Sequence, residues 1–304
     1  MRPTADHIAT MALPPQPWPT GEVEQLAPNV RRVLAPNGSP FTYTGTQTYL
    51  VGGPEGVAVI DPGPAEENHL AALERAIGRA PVVAILCTHT HRDHSPAAAP
   101  LAARTGAPIV GCAPLALETG GPRADAPFDD GYAPDLVLAD GEQVHGPRNG
   151  DAWTLTAVAT PGHTSNHLCY ALEGTGALFT GDHVMGWATT VVAPPDGDMA
   201  AYMASLDKLQ ARDDGIYYPA HGPAVGNPRQ LVRGMIGHRR QRERQILKLL
   251  GEGPQEIAAM VPRMYKGVSE YLWPAASLSV LAHLIDLERR GRVTRSGDVW
   301  ASAA

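Results

Sequence analysis

The chain has 304 residues, 43% of them hydrophobic and 18% charged, with a net charge of −7. That length buries a large core in one or two domains, and the composition excludes a disordered or fibrous chain. No apolar run approaches ~18 residues, so the sequence predicts no transmembrane helix and no membrane partner.

Residues 1–20 carry one arginine and five prolines and lack the apolar core of a signal peptide, so they read as an extended lead-in. Strands are expected over 30–34, 46–51 and 57–61, with Gly52-Gly53-Pro54 as a hairpin turn. A helix over 65–77 precedes Val82-Val83-Ala84-Ile85-Leu86-Cys87, an apolar run typical of a buried strand. A helix follows near 96–104, with Ser95 as its expected N-cap, and then a short strand at 109–111. Residues 114–134, rich in Gly, Pro and Asp, read as a long loop of the kind that flanks active sites. Strands are expected at 153–159, 167–172, 177–180 and 216–218. Asp198 caps a helix whose apolar residues are Met199, Tyr202, Met203, Leu206 and Leu209. Strands alternating with helices predict an α/β architecture with helices outside the sheets.

The tail reads differently. A helix over 229–250 ends at Gly251-Glu252-Gly253-Pro254. Helices over 254–262 and 274–290 follow, and then a hairpin turning at Ser296-Gly297-Asp298. This pattern suggests a small winged-helix-like unit over 226–304, after a main domain over 21–225. Charge divides at the same place. Residues 226–304 hold 13 Lys and Arg against 7 Asp and Glu, leaving 11 against 24 in residues 1–225. Cys87, Cys112 and Cys169 form no CxxC pair and no disulfide framework, which fits buried thiols in a reducing, cytoplasmic setting.

The most informative run is Thr88-His89-Thr90-His91-Arg92-Asp93-His94-Ser95. It places three imidazoles and a carboxylate at a strand end, and these groups are common ligands of zinc and related divalent ions. His163, Asp182 and His221 also stand just past expected strands, each beside glycine. Converging strand ends would gather His89, His91, Asp93, His94, His163, Asp182 and His221, enough for two ions sharing one carboxylate.

The spacing His89-x-His91-x-Asp93-His94, with His163, Asp182 and His221 in order, resembles the metallo-β-lactamase superfamily. Val59-Ile60-Asp61-Pro62-Gly63 matches that family's first motif. The resemblance implies an αββα sandwich with a dinuclear site at one sheet edge. It implies one metal on His89, His91 and His163 and a second on Asp93, His94 and His221, bridged by Asp182. Asp61 would support these ligands from behind. Gly181-Asp182-His183, Tyr218-Pro219-Ala220-His221-Gly222-Pro223 and the winged tail are similar to the β-lactamase-like endoribonuclease branch.

The expected reaction is hydrolysis by a hydroxide bridging two divalent ions, with Asp93 and Asp182 as catalytic residues. Five imidazoles and two carboxylates suit zinc; iron and manganese are accommodated as well. The acidic main domain favours a small ester, thioester or lactone as substrate. The alternative is single-stranded RNA, with Arg229, Arg233, Arg239, Arg240, Arg242, Arg244, Arg292 and Arg295 as candidate backbone contacts. The apolar helix over 274–290 suits packing or subunit contact better than groove reading, which leaves a homo-oligomer open. Trp187, or the loop carrying Phe128 and Tyr132, is expected to wall the substrate pocket.

Overall fold

The computed structural model describes residues 14–115, 128–147 and 152–303. Two sheets pack face to face between layers of helix. The first sheet runs in chain order: β1 (Val23–Ala27), β2 (Val30–Leu34), β3 (Gln47–Gly53), β4 (Gly56–Ile60), β5 (Val82–Cys87), β6 (Ile109–Gly111) and β7 (Leu136–Val137). Strands β1 to β4 pair antiparallel, and β4 to β7 pair parallel. The second sheet holds β8 (Gln143–His145), β9 (Thr154–Ala159), β10 (Leu168–Leu172), β11 (Ala177–Gly181) and β12 (Ile216–Pro219), in the order β12-β11-β10-β9-β8.

Alternation along β10 shows how one strand serves two cores. Leu168, Tyr170 and Leu172 face the first sheet, on the same side as Phe179, which packs on Tyr49 of β3. Cys169 and Ala171 face the other way, toward α3 (Met199–Gln210) and α4 (Pro228–Leu250). The period-2 pattern thus places every second side chain in the sandwich interior. On the outer face of the first sheet, Leu70 and Leu73 of α1 (Glu67–Ile77) and Leu101 of α2 (Ala98–Thr105) close the fourth layer.

Helix α3 begins where Asp198 accepts from Ala201 N–H at 2.9 Å, and it buries Met199, Tyr202, Ser205, Leu206 and Leu209. Its N-cap is the one expected. Helix α2 differs: Ser95 does not cap it, and the N-cap is Ala97 with no side-chain bond. The Ser95 hydroxyl donates instead to Asp129 Oδ2 at 2.8 Å, so a distant carboxylate outcompetes the local helix end.

The tail folds as α5 (Ile257–Met264), α6 (Trp273–Arg289) and a sheet of β13 (Gln255–Glu256), β15 (Val299–Ser302) and β14 (Val293–Ser296). Helices and a hairpin thus form the expected wing, around Met260, Val280, Leu284, Leu287 and a fully buried Trp300. The far half of α4 joins this core through Ile246, Leu249 and Leu250. Its near half, with Val232, Met235 and Ile236, belongs to the core under the second sheet. No helix among the described residues is long and apolar enough to cross a membrane. Cys87, Cys112 and Cys169 are free and buried. Of the long loop, 116–127 lie outside the described residues, as do residues 1–13 of the lead-in.

Gly162 shows how tightly α3 seats against the loop that carries His163. Its φ is +138°, and an added Cβ would lie 2.3 Å from the backbone N and Cα of Tyr202. Gly162→Ala should therefore force α3 outward and cost about 3 kcal/mol. Urea denaturation reads this directly, and a loss below about 0.5 kcal/mol would contradict the packing.

Candidate metal centre

Four strand ends meet at one edge of the sandwich. The turn after β5 supplies His89, His91, Asp93 and His94; the turns after β9, β11 and β12 supply His163, Asp182 and His221. Glycine makes one of these turns possible. Gly181 has φ +48°, and a Cβ there would stand 2.7 Å from both His167 Nε2 and Thr88 Oγ1.

The seven side chains fall into two groups, His89, His91, His163 and Asp182, and Asp93, His94 and His221. Within each group the candidate ligand atoms lie within 4.8 Å of one another. His91 Nδ1 is 2.9 Å from His89 Nε2 and 3.2 Å from His163 Nε2. Three nitrogens on a tetrahedral ion at zinc–nitrogen bond length would stand about 3.3 Å apart. His221 Nε2 is 3.1 Å from Asp93 Oδ2 and 3.3 Å from Asp182 Oδ1; His94 Nε2 is 3.3 Å from the same Asp93 oxygen. Asp182 faces both groups, with Oδ1 toward His94 and His221 and Oδ2 at 3.7 Å from His163.

The opposite ring nitrogens explain why these lone pairs face inward. Asp61 accepts from Thr88 N–H and Thr88 Oγ1–H, both at 2.8 Å, and sits 3.1 Å from His94 Nδ1. With its hydroxyl proton given to Asp61, Thr88 Oγ1 accepts from His89 Nδ1–H at 3.0 Å. His163 Nδ1–H donates to Val191 O at 2.7 Å, and His221 Nδ1–H donates to Gly45 O at 3.3 Å. In all four rings Nδ1–H has a fixed acceptor, so the neutral ring presents Nε2 as its lone pair.

Two of those Nε2 acceptors have nothing to accept: His94 Nε2 and His221 Nε2, like Asp182 Oδ1, are buried with no hydrogen-bond partner. Burial, helped by the neighbouring imidazoles, holds His89 well below the usual histidine range and His91 down to about 3. Burial alone would raise Asp93 and Asp182, but His94 and His221 beside them pull both below the usual carboxylate range. His94 moves the other way: burial lowers it, yet Asp93, Asp182 and Asp61 raise it well above its ordinary value. The cluster is a buried set of anions and lone pairs that calls for positive charge, and its donor types suit divalent transition metals.

A cavity of about 440 Å³ opens onto the cluster, with apolar walls that include Phe41, Pro64, Met185 and Val191. Phe128 from the long loop packs its ring 4.7 Å from His91. Trp187 stacks on Tyr43 at 4.9 Å and borders a neighbouring cavity rather than this one. Tyr132 is buried in the sandwich core.

The sequence reading passed over His167. It is buried, shares a bond with Thr160 Oγ1 at 2.9 Å, and its Nε2 accepts from Asp182 N–H at 3.2 Å. It therefore fixes the backbone from which Asp182 reaches the cluster. Its place four residues after His163, at the mouth of an expected strand, was the available signal. His183, next to Asp182, is turned away against Tyr202.

The Metallo-beta-lactamase superfamily profile matches residues 42–221, and the Beta-lactamase associated winged helix domain profile matches residues 257–300. The chain is 34% identical to the atrochrysone carboxyl ACP thioesterase AgnL7 of Paecilomyces divaricatus, across 81% of this chain and 71% of that one. It is 32% identical to the beta-lactamase-like protein 2 homolog of Drosophila melanogaster, across 91% and 94%. A beta-lactamase domain protein from Burkholderia ambifaria has the same fold, with a TM-score of 0.76 at 22% identity over 93% and 94% of the two chains. With its sandwich, its ordered His and Asp cluster and its appended winged helix, the chain belongs to the metallo-β-lactamase superfamily.

Proposed function

We propose that the protein is a dinuclear metal-dependent hydrolase of acyl thioesters. The observation that carries this reading is the set of buried, unpartnered acceptors at the floor of an apolar cavity. The thioesterase name of the 34% identical relative supports the choice of bond.

His89, His91 and His163 would hold one ion, Asp93, His94 and His221 the other, and Asp182 both. Such a pair supplies a Lewis acid for the carbonyl oxygen and lowers the pKa of water to near neutrality. The chain's own groups do the rest. Thr88, Asp61, Val191 O and Gly45 O keep the imidazoles aimed, so little reorganisation is needed during reaction. Asp93 lines the cavity as an ionised carboxylate and would accept a hydrogen bond from the attacking water, orienting it. Phe41, Met185 and Val191 hold an acyl chain and exclude bulk water.

Zinc fits the donor set best, and iron or manganese would share the geometry. The cationic track that RNA binding needs is not at this cavity. Among its lining residues Arg92 is the one cation, and its Nε donates to Phe128 O at 3.1 Å. Of the tail arginines, Arg239 and Arg242 are buried, and Arg229 lies near Asp213. A small-molecule substrate is therefore favoured over single-stranded RNA.

Three outcomes test this reading. Elemental analysis should find two metal ions per chain, and chelation should lower the melting temperature by about 10 °C, because the ions bind only the folded state. Metal-free protein that melts at the same temperature would contradict the site. Asp182→Ala should retain at most one ion and lose about a thousandfold in kcat/KM; unchanged turnover would remove Asp182 from the mechanism. Metal-loaded protein should release thiol from acyl N-acetylcysteamine and leave labelled single-stranded RNA intact. RNA cleavage that vanishes in Asp182→Ala, with no thiol released, would reverse the choice of substrate.

A further inference from the structure

A second cavity, of about 160 Å³, adjoins the first and shares Phe41, Met185, Val191 and Ala275 with it. It lies where residues 187–191 meet α4 and α6. Its polar lining includes Trp187, His238, Arg239 and Arg242. Arg239 is 3% exposed; its Nη2 donates to Thr190 O, and its Nε is buried with no acceptor. Trp187 Nε1 is buried with no acceptor as well. Arg242 Nε donates to His238 Nε2 at 3.2 Å, so the neutral ring carries its proton on Nδ1. That N–H is a third buried donor without a partner. Burial, then the guanidinium groups of Arg239 and Arg242, hold His238 down to about 3, which keeps the ring neutral.

Neither arginine is neutralised. Arg239 donates to a backbone carbonyl, Arg242 to His238, Gln245 and Met264 O, and among the described residues neither pairs with a carboxylate. A buried cation without an anion is unfavourable, and so is a buried donor without an acceptor. Three such donors, one of them on the Arg239 guanidinium itself, with that of Arg242 alongside, describe a site whose missing partner accepts hydrogen bonds and carries negative charge.

We propose that this second cavity is an oxyanion subsite, binding the remote carboxylate or phosphate end of a substrate whose reacting bond lies at the metal centre. Phe41, Met185 and Val191 form the apolar neck through which the linking chain passes. The space equals roughly five water molecules, enough for a short charged arm and too little for a polynucleotide. This rests on the hydrolase reading only for what stands at the other end of the chain.

The test is calorimetric titration of the full-length, metal-loaded protein with glutarate, adipate and suberate, each against the monocarboxylate of equal length. Either kind of probe can place one carboxylate at the metals, and only the diacid brings a second. At least one diacid should bind about tenfold more tightly than its monoacid partner. ω-Phosphono acids of the same lengths distinguish the two sources, the tighter probe naming the end group. Trp187→Phe and Arg242→Gln should each bring the diacid-to-monoacid ratio to within about twofold of one. Lys248→Gln, which removes the same charge from an exposed site on α4, should leave the ratio unchanged. Reading a ratio cancels any disturbance of the metal centre, because the monoacid reports that disturbance. If no dibasic probe outbinds its monobasic partner in the unmodified protein, the subsite does not exist, whether or not any variant folds. An equal loss in Lys248→Gln would also overturn it. Turnover does not enter the readout, so failure of the thioesterase reading and failure of the subsite are seen separately.

Discussion

A carboxylate buried at a strand end has to be satisfied by donors, and Asp61 meets that demand by reaching across to the next strand. It takes both the N–H and the hydroxyl of Thr88, and it faces His94 Nδ1. The residue adopts φ 49°, a left-handed conformation that costs a non-glycine residue about 1–2 kcal/mol. What that strain secures is registration: the end of β4 is tied to the end of β5, where the cluster starts. Thr88 then passes the constraint on to His89, so one buried anion orients two rings in opposite groups.

The remaining rings are aimed by the backbone. Val191 O and Gly45 O hold His163 and His221. Both carbonyls come from loops, which are poor anchors unless something stiffens them. Arg239 supplies one such anchor by donating to Thr190 O, next to the carbonyl that His163 uses. Gly45 is held by its own N–H to Thr42 O.

The sandwich and the cluster were largely legible in the sequence because both depend on residue type. Alternating apolar strands mark their own period, and imidazole and carboxylate groups beside glycine at strand ends have few other uses. The supports were less legible because backbone carbonyls carry no type. Nothing about Val191 or Gly45 announces that its oxygen orients a ring. Local rules also lost to distant partners, as when Asp129 took the Ser95 hydroxyl from the helix cap. Strands β1 and β8 escaped notice because their faces are mostly exposed and carry Glu and Gln rather than an apolar stripe. The arginines of α4 read as one charged face, yet Arg239 and Arg242 point inward onto Tyr202 and Tyr265 while Arg240 and Arg244 are exposed. A long aliphatic stem permits either fate, and sequence alone does not choose between them.

Helix α4 spans 23 residues, about 35 Å, with one half in the sandwich and the other in the wing. Synthesis meets these parts in a fixed order. All seven cluster residues have been made by residue 221, whereas the arginine that braces the His163 loop and the alanine that closes the cavity wall come later, at 239 and 275. The seven groups of the cluster are thus made before the structure that braces one of them, and the unit that supplies the brace contributes none of the seven.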